Sequence, residues 1–219
     1  MIARRRRTFR SAGFTLVELS TATFVLVVCV GVVFGLMART QDFQGRAITV
    51  ADLGARATMA LERIVRELRD SGLSTLSPEP LPPLGTSALA FRRATGLAGS
   101  SVTYGPYERI EWQLAPGELA DKADNNGNGL VDEGRIVWIL EPGTGNERVV
   151  VLCDAVARYA EGEIANGFDD NGNGLADELG LSFEISQKVL TIRLTLERRT
   201  PAGEIVRLSR STSTLLQNP

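Results

Sequence analysis

The sequence predicts an α+β protein in which a long N-terminal helix is packed on an antiparallel β-sheet. Three observations carry this. The chain opens with an apolar run and then repeats apolar residues every three or four positions to about residue 70. Four of its nine prolines crowd into "PEPLPP" at 78–83, and beyond them the periodicity becomes two. With 219 residues, 43% of them hydrophobic, the chain can bury one sizeable core and still carry an extra segment.

The first element begins in "RRRRTFRSAGFTLVELSTATFVLVVCVGVVFGLM", residues 4–37. Phe14 to Met37 is 24 residues, about 36 Å as a helix, enough to cross a hydrocarbon core of about 30 Å. The Arg4–Arg7 run places the N-terminus in the cytoplasm and the rest of the chain across the inner membrane. A secretory signal peptide fits less well, because its apolar core spans roughly 7–15 residues and ends in a small-residue cleavage site. A plain signal anchor fits the run equally well. One residue stands out: Glu18 is an acid inside a membrane-length segment, where an acidic residue at the centre costs roughly 2.5–3.5 kcal/mol.

Helical character continues past the membrane. Leu53, Ala57, Leu61, Ile64 and Leu68 share one face, with Arg56, Arg63, Arg66 and Glu67 on the other. One helix from about Phe14 to Asp70 is predicted, stopped by Ser71-Gly72 and then by the prolines. The organisation is therefore a basic leader at 1–13, a long helix at 14–72 with its membrane span at 14–37, a Pro-rich linker at 73–87, and a β-rich head at 88–219.

In the head, "VLTIRLTLERR" alternates Leu190, Ile192, Leu194 and Leu196 with Thr191, Arg193, Thr195 and Glu197, the pattern of a half-buried strand. Further strands are predicted at "ERIEWQL" from Glu108, "RIVWILEP" from Arg135, "ERVVVLC" from Glu147, "AVARYAEG" from Ala155, "LSFEIS" from Leu181 and "EIVRLSRSTSTL" from Glu204. Thr200-Pro201-Ala202-Gly203 joins the last two as a hairpin. A sheet with one apolar face needs a cover, and the stripe at 53–68 supplies it.

The segment "GFTLVELS", Gly13 to Ser20, resembles the processing site of type IV prepilins. The resemblance implies cleavage after Gly13 by a prepilin peptidase and methylation of the new N-terminal Phe14. It also implies an assembly role for Glu18, whose carboxylate would neutralise the N-terminal amine of a neighbouring subunit as helices bundle. "ATMALERIVRELRDSG", Ala57 to Gly72, and the closing hairpin "EIVRLSRSTSTLLQNP" are similar to W-type minor pilins and to J-type minor pseudopilins of type II secretion. The likeness implies a pilin-like fold, a filament subunit as the function, and other pilin or pseudopilin subunits as partners. The chain would reside in the bacterial inner membrane, head periplasmic, before entering the filament. An uncleaved single-pass anchor with a calcium-dependent binding or adhesion head is the alternative.

"DNNGNGLVDE", Asp124 to Glu133, recurs as "DDNGNGLADE", Asp169 to Glu178. Asp or Asn at positions 1, 3 and 5, Gly at 6 and a carbonyl at 7 are how a short loop wraps Ca2+ in oxygen. The predicted ligands are Asp124, Asn126, Asn128 and the Leu130 carbonyl, and Asp169, Asn171, Asn173 and the Leu175 carbonyl. The EF-hand acid at position 12 is replaced by Arg135 and Gly180, so Glu133 and Glu178 are expected to close each cage, with Asp132 and Asp177 acting through water. The competing reading is a pair of Asn-Gly turns, but a bare turn needs no acid at positions 1, 9 and 10 in both copies. The few charged ligands point to affinities around 10⁻⁴–10⁻³ M.

Composition narrows the function further. The leader holds five arginines and no acid, leaving 19 basic against 26 acidic groups, a balance of −7, which argues against nucleic-acid binding. Histidine is absent, and no nucleophile elbow, phosphate loop or zinc ligand set occurs, so the chain is not expected to be an enzyme. Cys29 and Cys153 are too far apart in character for an internal disulfide, and Cys153, Trp112 and Trp138 read as core.

Overall fold

The computed structural model describes residues 15–82 and 84–216. It contains one long helix, α1 (Leu16–Arg69), a single 3-10 turn (Leu73–Thr75) and seven strands: β1 (Ala88–Ala98), β2 (Ser101–Leu114), β3 (Gly134–Leu140), β4 (Arg148–Val156), β5 (Leu181–Ser186), β6 (Val189–Arg199) and β7 (Ile205–Leu215). Every pairing is antiparallel. The predicted α+β class holds, with one long apolar helix and one antiparallel sheet.

The chain divides into two compact units at Gln44/Gly45. In the first, residues 16–37 expose apolar side chains almost without break, from Leu16, Val17 and Leu19 through Phe24, Val28 and Val33 to Met37. This helix is long and apolar enough to cross a membrane. Its hydroxyl residues bond back to the preceding turn, Thr21 Oγ1 to the Val17 carbonyl and Thr23 Oγ1 to that of Leu19, which satisfies them inside an apolar segment.

The second unit is built on the alternation read from the sequence. Two antiparallel meanders, β1-β2-β3-β4 and β5-β6-β7, meet where Val156 pairs with Leu196. The stripe of Leu53, Ala57, Leu61, Ile64 and Leu68 is buried in one cluster with Phe91, Ile110, Ile136, Phe183, Ile192 and Leu194 from the sheet. That is the predicted cover. Polar links tie the layers as well: Arg93 on β1 reaches Glu67 on α1 (3.0 Å) and Glu108 on β2 (2.7 Å), and Glu108 also accepts from Trp138 Nε1 (2.8 Å).

The helix stops where Ser71 donates both its N–H (3.0 Å) and its Oγ (2.7 Å) to the Leu68 carbonyl. Gly72 then passes so close to Tyr104 that a Cβ there would lie 2.4 Å from the phenol oxygen. Residues 73–87 are bonded to the head on two sides: Ser77 pairs with Ala90 of β1, and Thr86 with Phe183 of β5.

Two strand predictions differ from the structure. "AVARYAEG" is not a strand of its own: Ala155 and Val156 end β4, and the rest enters a loop held by an isolated Tyr159–Leu179 bridge. Its contact with β6 ends at once, with the Val156–Leu196 pair and the bond from the Ala157 N–H to the Thr195 carbonyl (3.0 Å). Conversely β1 and the first half of β2 escaped prediction. Gly105 and Pro106 read as breakers, yet they sit in a register shift, between the pairs Arg92–Tyr107 and Ala94–Tyr104, where the ladder needs no N–H from Pro106.

Candidate functional site

At the helix start, Thr15 and Glu18 form a reciprocal cap. The Thr15 N–H and Oγ1 both donate to Glu18 Oε2 (2.9 Å each), and the Glu18 N–H donates to Thr15 Oγ1 (3.2 Å). This is a capping box, in which the acid at the third helical position satisfies an orphan donor of the first turn. Sequence reading missed this use of Glu18, although Thr-x-x-Glu before an apolar run is its signature. Gly13 and Phe14 lie outside the described residues.

The two repeated loops adopt the same construction. Loop 1 lies between β2 and β3, and loop 2 between β4 and β5. In loop 1, Asp124 Oδ1 accepts from the Gly127 N–H (2.7 Å) and Oδ2 from the Gly129 N–H (2.8 Å); in loop 2, Asp169 takes the N–H groups of Gly172 (2.7 Å) and Gly174 (2.8 Å). The Oδ1 of Asn126, Asn128, Asn171 and Asn173 each accept from the N–H two residues on. Glycine is required at Gly129 and Gly174, where φ is +87° and +92°. Leu130 and Leu175 anchor the loops through buried side chains.

The acids at position 10 turn inward. Glu133 is 1% exposed, and its Oε1 accepts from Asn126 Nδ2 (2.8 Å) and Asn128 Nδ2 (2.6 Å). Glu178, 4% exposed, faces Asn171 Nδ2 (3.2 Å) and Asn173 Nδ2 in the same way. The other oxygen of each, Oε2, is buried and has no hydrogen-bond partner among the described residues. A buried carboxylate oxygen without a partner is costly. The structure thus brings together Asp124, Asn126, Asn128 and Glu133, and likewise Asp169, Asn171, Asn173 and Glu178.

Position 9 does something else. Asp132 accepts from the N–H groups of Asp121 and Lys122 (3.1 Å each) and pairs with Arg158 (2.8 Å). Asp177 accepts from the N–H groups of Asn166 (2.8 Å) and Gly167 (2.7 Å). Both acids are engaged as staples of the loop's return leg.

Two further acids belong to the loops and were not predicted. Glu118 and Glu163 are 6% and 4% exposed, and the Oε1 of each accepts from backbone, at Asn126 and Asn171 respectively (2.9 Å each). The sequence signal was present: Ala115, Gly117, Glu118 and Ala120 match Ala160, Gly162, Glu163 and Ala165 at the spacing of the repeat. Among the described residues no three histidine, cysteine or acidic side chains form a metal-binding group. The loops place amides at two ligand positions, which leaves fewer acids to cluster.

Outside the loops, Cys29 and Cys153 are both free thiols. Cys153 is buried, as expected of a core residue, and burial, with the neighbouring Asp154 charge adding, pushes its thiol up to about 11. Comparison of the chain with protein-family models, curated proteins and solved structures gives no match.

Proposed function

We propose that this chain is a prepilin-like subunit, a minor pilin of a type IV pilus or a minor pseudopilin of type II secretion, assembled through its N-terminal helix. The observation that carries the reading is a single helix that opens on Glu18 and is exposed and apolar over 16–37, with a C-terminal part that is the cover of an antiparallel sheet. A helix with those two faces has one use for lipid or neighbouring helices and another for its own head. The resemblance of "GFTLVELS" to a prepilin processing site adds cleavage after Gly13 and methylation of Phe14. In this reading the chain sits in the inner membrane with its head periplasmic, a prepilin peptidase processes it, and other pilin or pseudopilin subunits surround it. It has a mechanical role and no catalytic one.

The same reading gives the head two calcium loops. Asp124, Asn126, Asn128, the Leu130 carbonyl and Glu133 hold one ion, and Asp169, Asn171, Asn173, the Leu175 carbonyl and Glu178 the other. All donors are oxygen, the set a hard cation prefers. The orphaned oxygens of Glu133 and Glu178 support this over a pair of tight turns.

The test is to delete the gene and quantify sheared-surface and culture-supernatant proteins, while mapping the N-terminus of the membrane-resident chain by mass spectrometry. A methylated Phe14 N-terminus with loss of surface filaments marks a minor pilin, and the same terminus with loss of secreted enzymes marks a pseudopilin. An intact Met1–Gly13 segment with neither loss would refute the filament reading and favour an anchored, calcium-dependent binding head.

A further inference from the structure

Within the second unit, α1 and the β6–β7 hairpin enclose a groove of about 730 Å³ lined by Ile48, Asp52, Arg56, Arg198, Arg199 and Pro201. Positions 48, 52 and 56 share one helix face because they recur every four residues, and the end of β6 brings Arg198 and Arg199 to the same groove. Three guanidinium groups therefore meet a single carboxylate. Asp52 Oδ2 accepts from Arg56 Nε (2.9 Å) and also from Arg198 Nη1, so one oxygen serves two cations. Arg199 donates its Nε to the Gly203 carbonyl (3.2 Å), packs on Gly129 and has no carboxylate partner among the described residues. Each guanidinium keeps its two other nitrogens without a hydrogen-bond partner among the described residues. Other acids of the hairpin and loop 1 are already committed: Glu204 to Arg46 (3.3 Å), Glu197 to Arg207 (2.8 Å), and Asp124 to the Gly127 and Gly129 N–H groups. Three arginines against one aspartate leave the groove an excess of two positive charges.

We propose that this groove binds a phosphate-bearing anion, free or as a lipid headgroup. The planar forks of arginine match phosphate oxygens, and such charge-assisted bonds are about twice as strong as neutral ones. Crowding three like charges around one acid is unfavourable by itself, and a dianion removes the excess. A single side-chain carboxylate would neutralise half of it and fill little of the space. Ile48, 69% exposed, and Pro201 give the groove an apolar rim, which suits the glycerol or acyl part of a phosphate ester. Asn128 of loop 1 also touches the groove, but its amide is spent on Glu133 and on the Leu130 N–H. The three arginines and Asp52 belong neither to the calcium ligand sets nor to the Gly13–Glu18 segment, so the site is independent of both readings.

The experiment uses the full chain in a nonionic detergent, titrated with inorganic phosphate by calorimetry at low salt. One saturable phase is expected, weakening as salt rises. Arg199→Gln removes the guanidinium that no carboxylate holds and should weaken that phase by about tenfold or more, and Arg199→Lys, which restores the charge, should recover part of the loss. Asp52→Asn removes the competing charge and should tighten binding several-fold. Arg66→Gln, at an exposed arginine elsewhere on α1, should change nothing. Native mass spectrometry of the same samples with phosphatidylglycerol or phosphatidylcholine added separates the two sources. Retention of phosphatidylglycerol that Arg199→Gln abolishes assigns a lipid headgroup; phosphate binding with no lipid retained through Arg199 assigns a free phosphate. Absence of a saturable phosphate phase in the unsubstituted chain would overturn the inference. So would an Arg199→Gln chain that binds as the native one does, or equal weakening by Arg199→Gln and Arg66→Gln, which would mark a response to net charge alone.

Discussion

Replacing Glu18 by glutamine keeps a side-chain oxygen for the Thr15 N–H and removes the negative charge, whereas Thr15→Ala keeps the charge and removes the hydroxyl half of the cap. The structure gives Glu18 two bonds of 2.9 Å from Thr15, so its local role is real and has to be separated from the assembly role. Losing a capping side chain costs about 0.5–2 kcal/mol, centred near 1, which is roughly a fivefold change in an equilibrium. Losing the charge acts differently. In the lone subunit it relieves part of the roughly 2.5–3.5 kcal/mol that an acid costs at the centre of a membrane helix. On the proposed assembly role it would strand the amine of the neighbouring subunit, and leaving a buried charge unpaired costs about 3–5 kcal/mol, or roughly two to four powers of ten in assembly. The expected result is that Glu18→Gln accumulates normally in the membrane and vanishes from the sheared filament fraction, while Thr15→Ala enters filaments at a few-fold lower level. Quantitative mass spectrometry of both fractions, normalised to membrane content, reads this directly. If Glu18→Gln assembled as the native chain does and Thr15→Ala did not, Glu18 would be a helix cap alone.

Ile64 is fully buried between α1 and the sheet, so Ile64→Ala should lower stability by about 2–5 kcal/mol in urea unfolding followed by tryptophan fluorescence; a loss near zero would mean the helix does not cover the sheet. Arg93→Ala strands the buried Glu108 carboxylate with Trp138 as its remaining partner in that network and should cost roughly 3 kcal/mol, against about 0.5 kcal/mol for Arg56→Ala in its exposed pair with Asp52. Calcium at 100 times its dissociation constant should add about 2.7 kcal/mol per occupied loop, hence roughly 5–10 °C in Tm, and chelation should remove it; an unmoved Tm counts against both loops. The Cys153 thiol, raised to about 11 in the folded chain against about 8.5 unfolded, favours folding fully below pH 8.5 and loses that contribution as pH climbs towards 11. In a Cys29→Ser background, alkylation of native protein at neutral pH should be far slower than of unfolded protein, and equal rates would contradict the burial.

Range in sequence decides which features were legible before folding. The stripe at 53–68 was legible because a helix writes its buried face at a fixed spacing, and Leu53, Ile64 and Leu68 are fully buried where that spacing puts them. β6 was legible for the corresponding reason at period two, with Leu190, Ile192, Leu194 and Leu196 all buried. β1 was not, because its alternation lapses after Phe91 into Arg92-Arg93 and small residues. Its place is fixed by Arg93 bonding Glu67 and Glu108, partners distant in sequence. The loops show the same division. Asp124, Asn126 and Asn128 are close enough in sequence to read as one ligand set, whereas Glu118 reaches Asn126 across eight positions and Arg158 reaches Asp132 across twenty-six.

Loop 1 is an insertion that leaves the β2–β3 register untouched. Each loop is pinched at its neck, where the Ala115 N–H meets the Glu133 carbonyl (3.0 Å) and the Ala160 N–H meets that of Glu178 (3.1 Å). Immediately outside the first neck, Leu114 pairs with Gly134 and the β2–β3 ladder runs on without a shift. Closing such a loop costs an entropy that grows only with the logarithm of its length, so the sheet can carry both at small expense. Stiffening a loop with a cation therefore acts on the loop and not on the strands beneath it. The Arg158–Asp132 pair joins the return leg of loop 1 to the segment leading into loop 2, so the two loops share one footing. On the proposed reading, a frame whose packing is settled by α1 and the alternating strands would bear two loops stiffened by bound cation, and so separate holding position in a filament from presenting a surface at it.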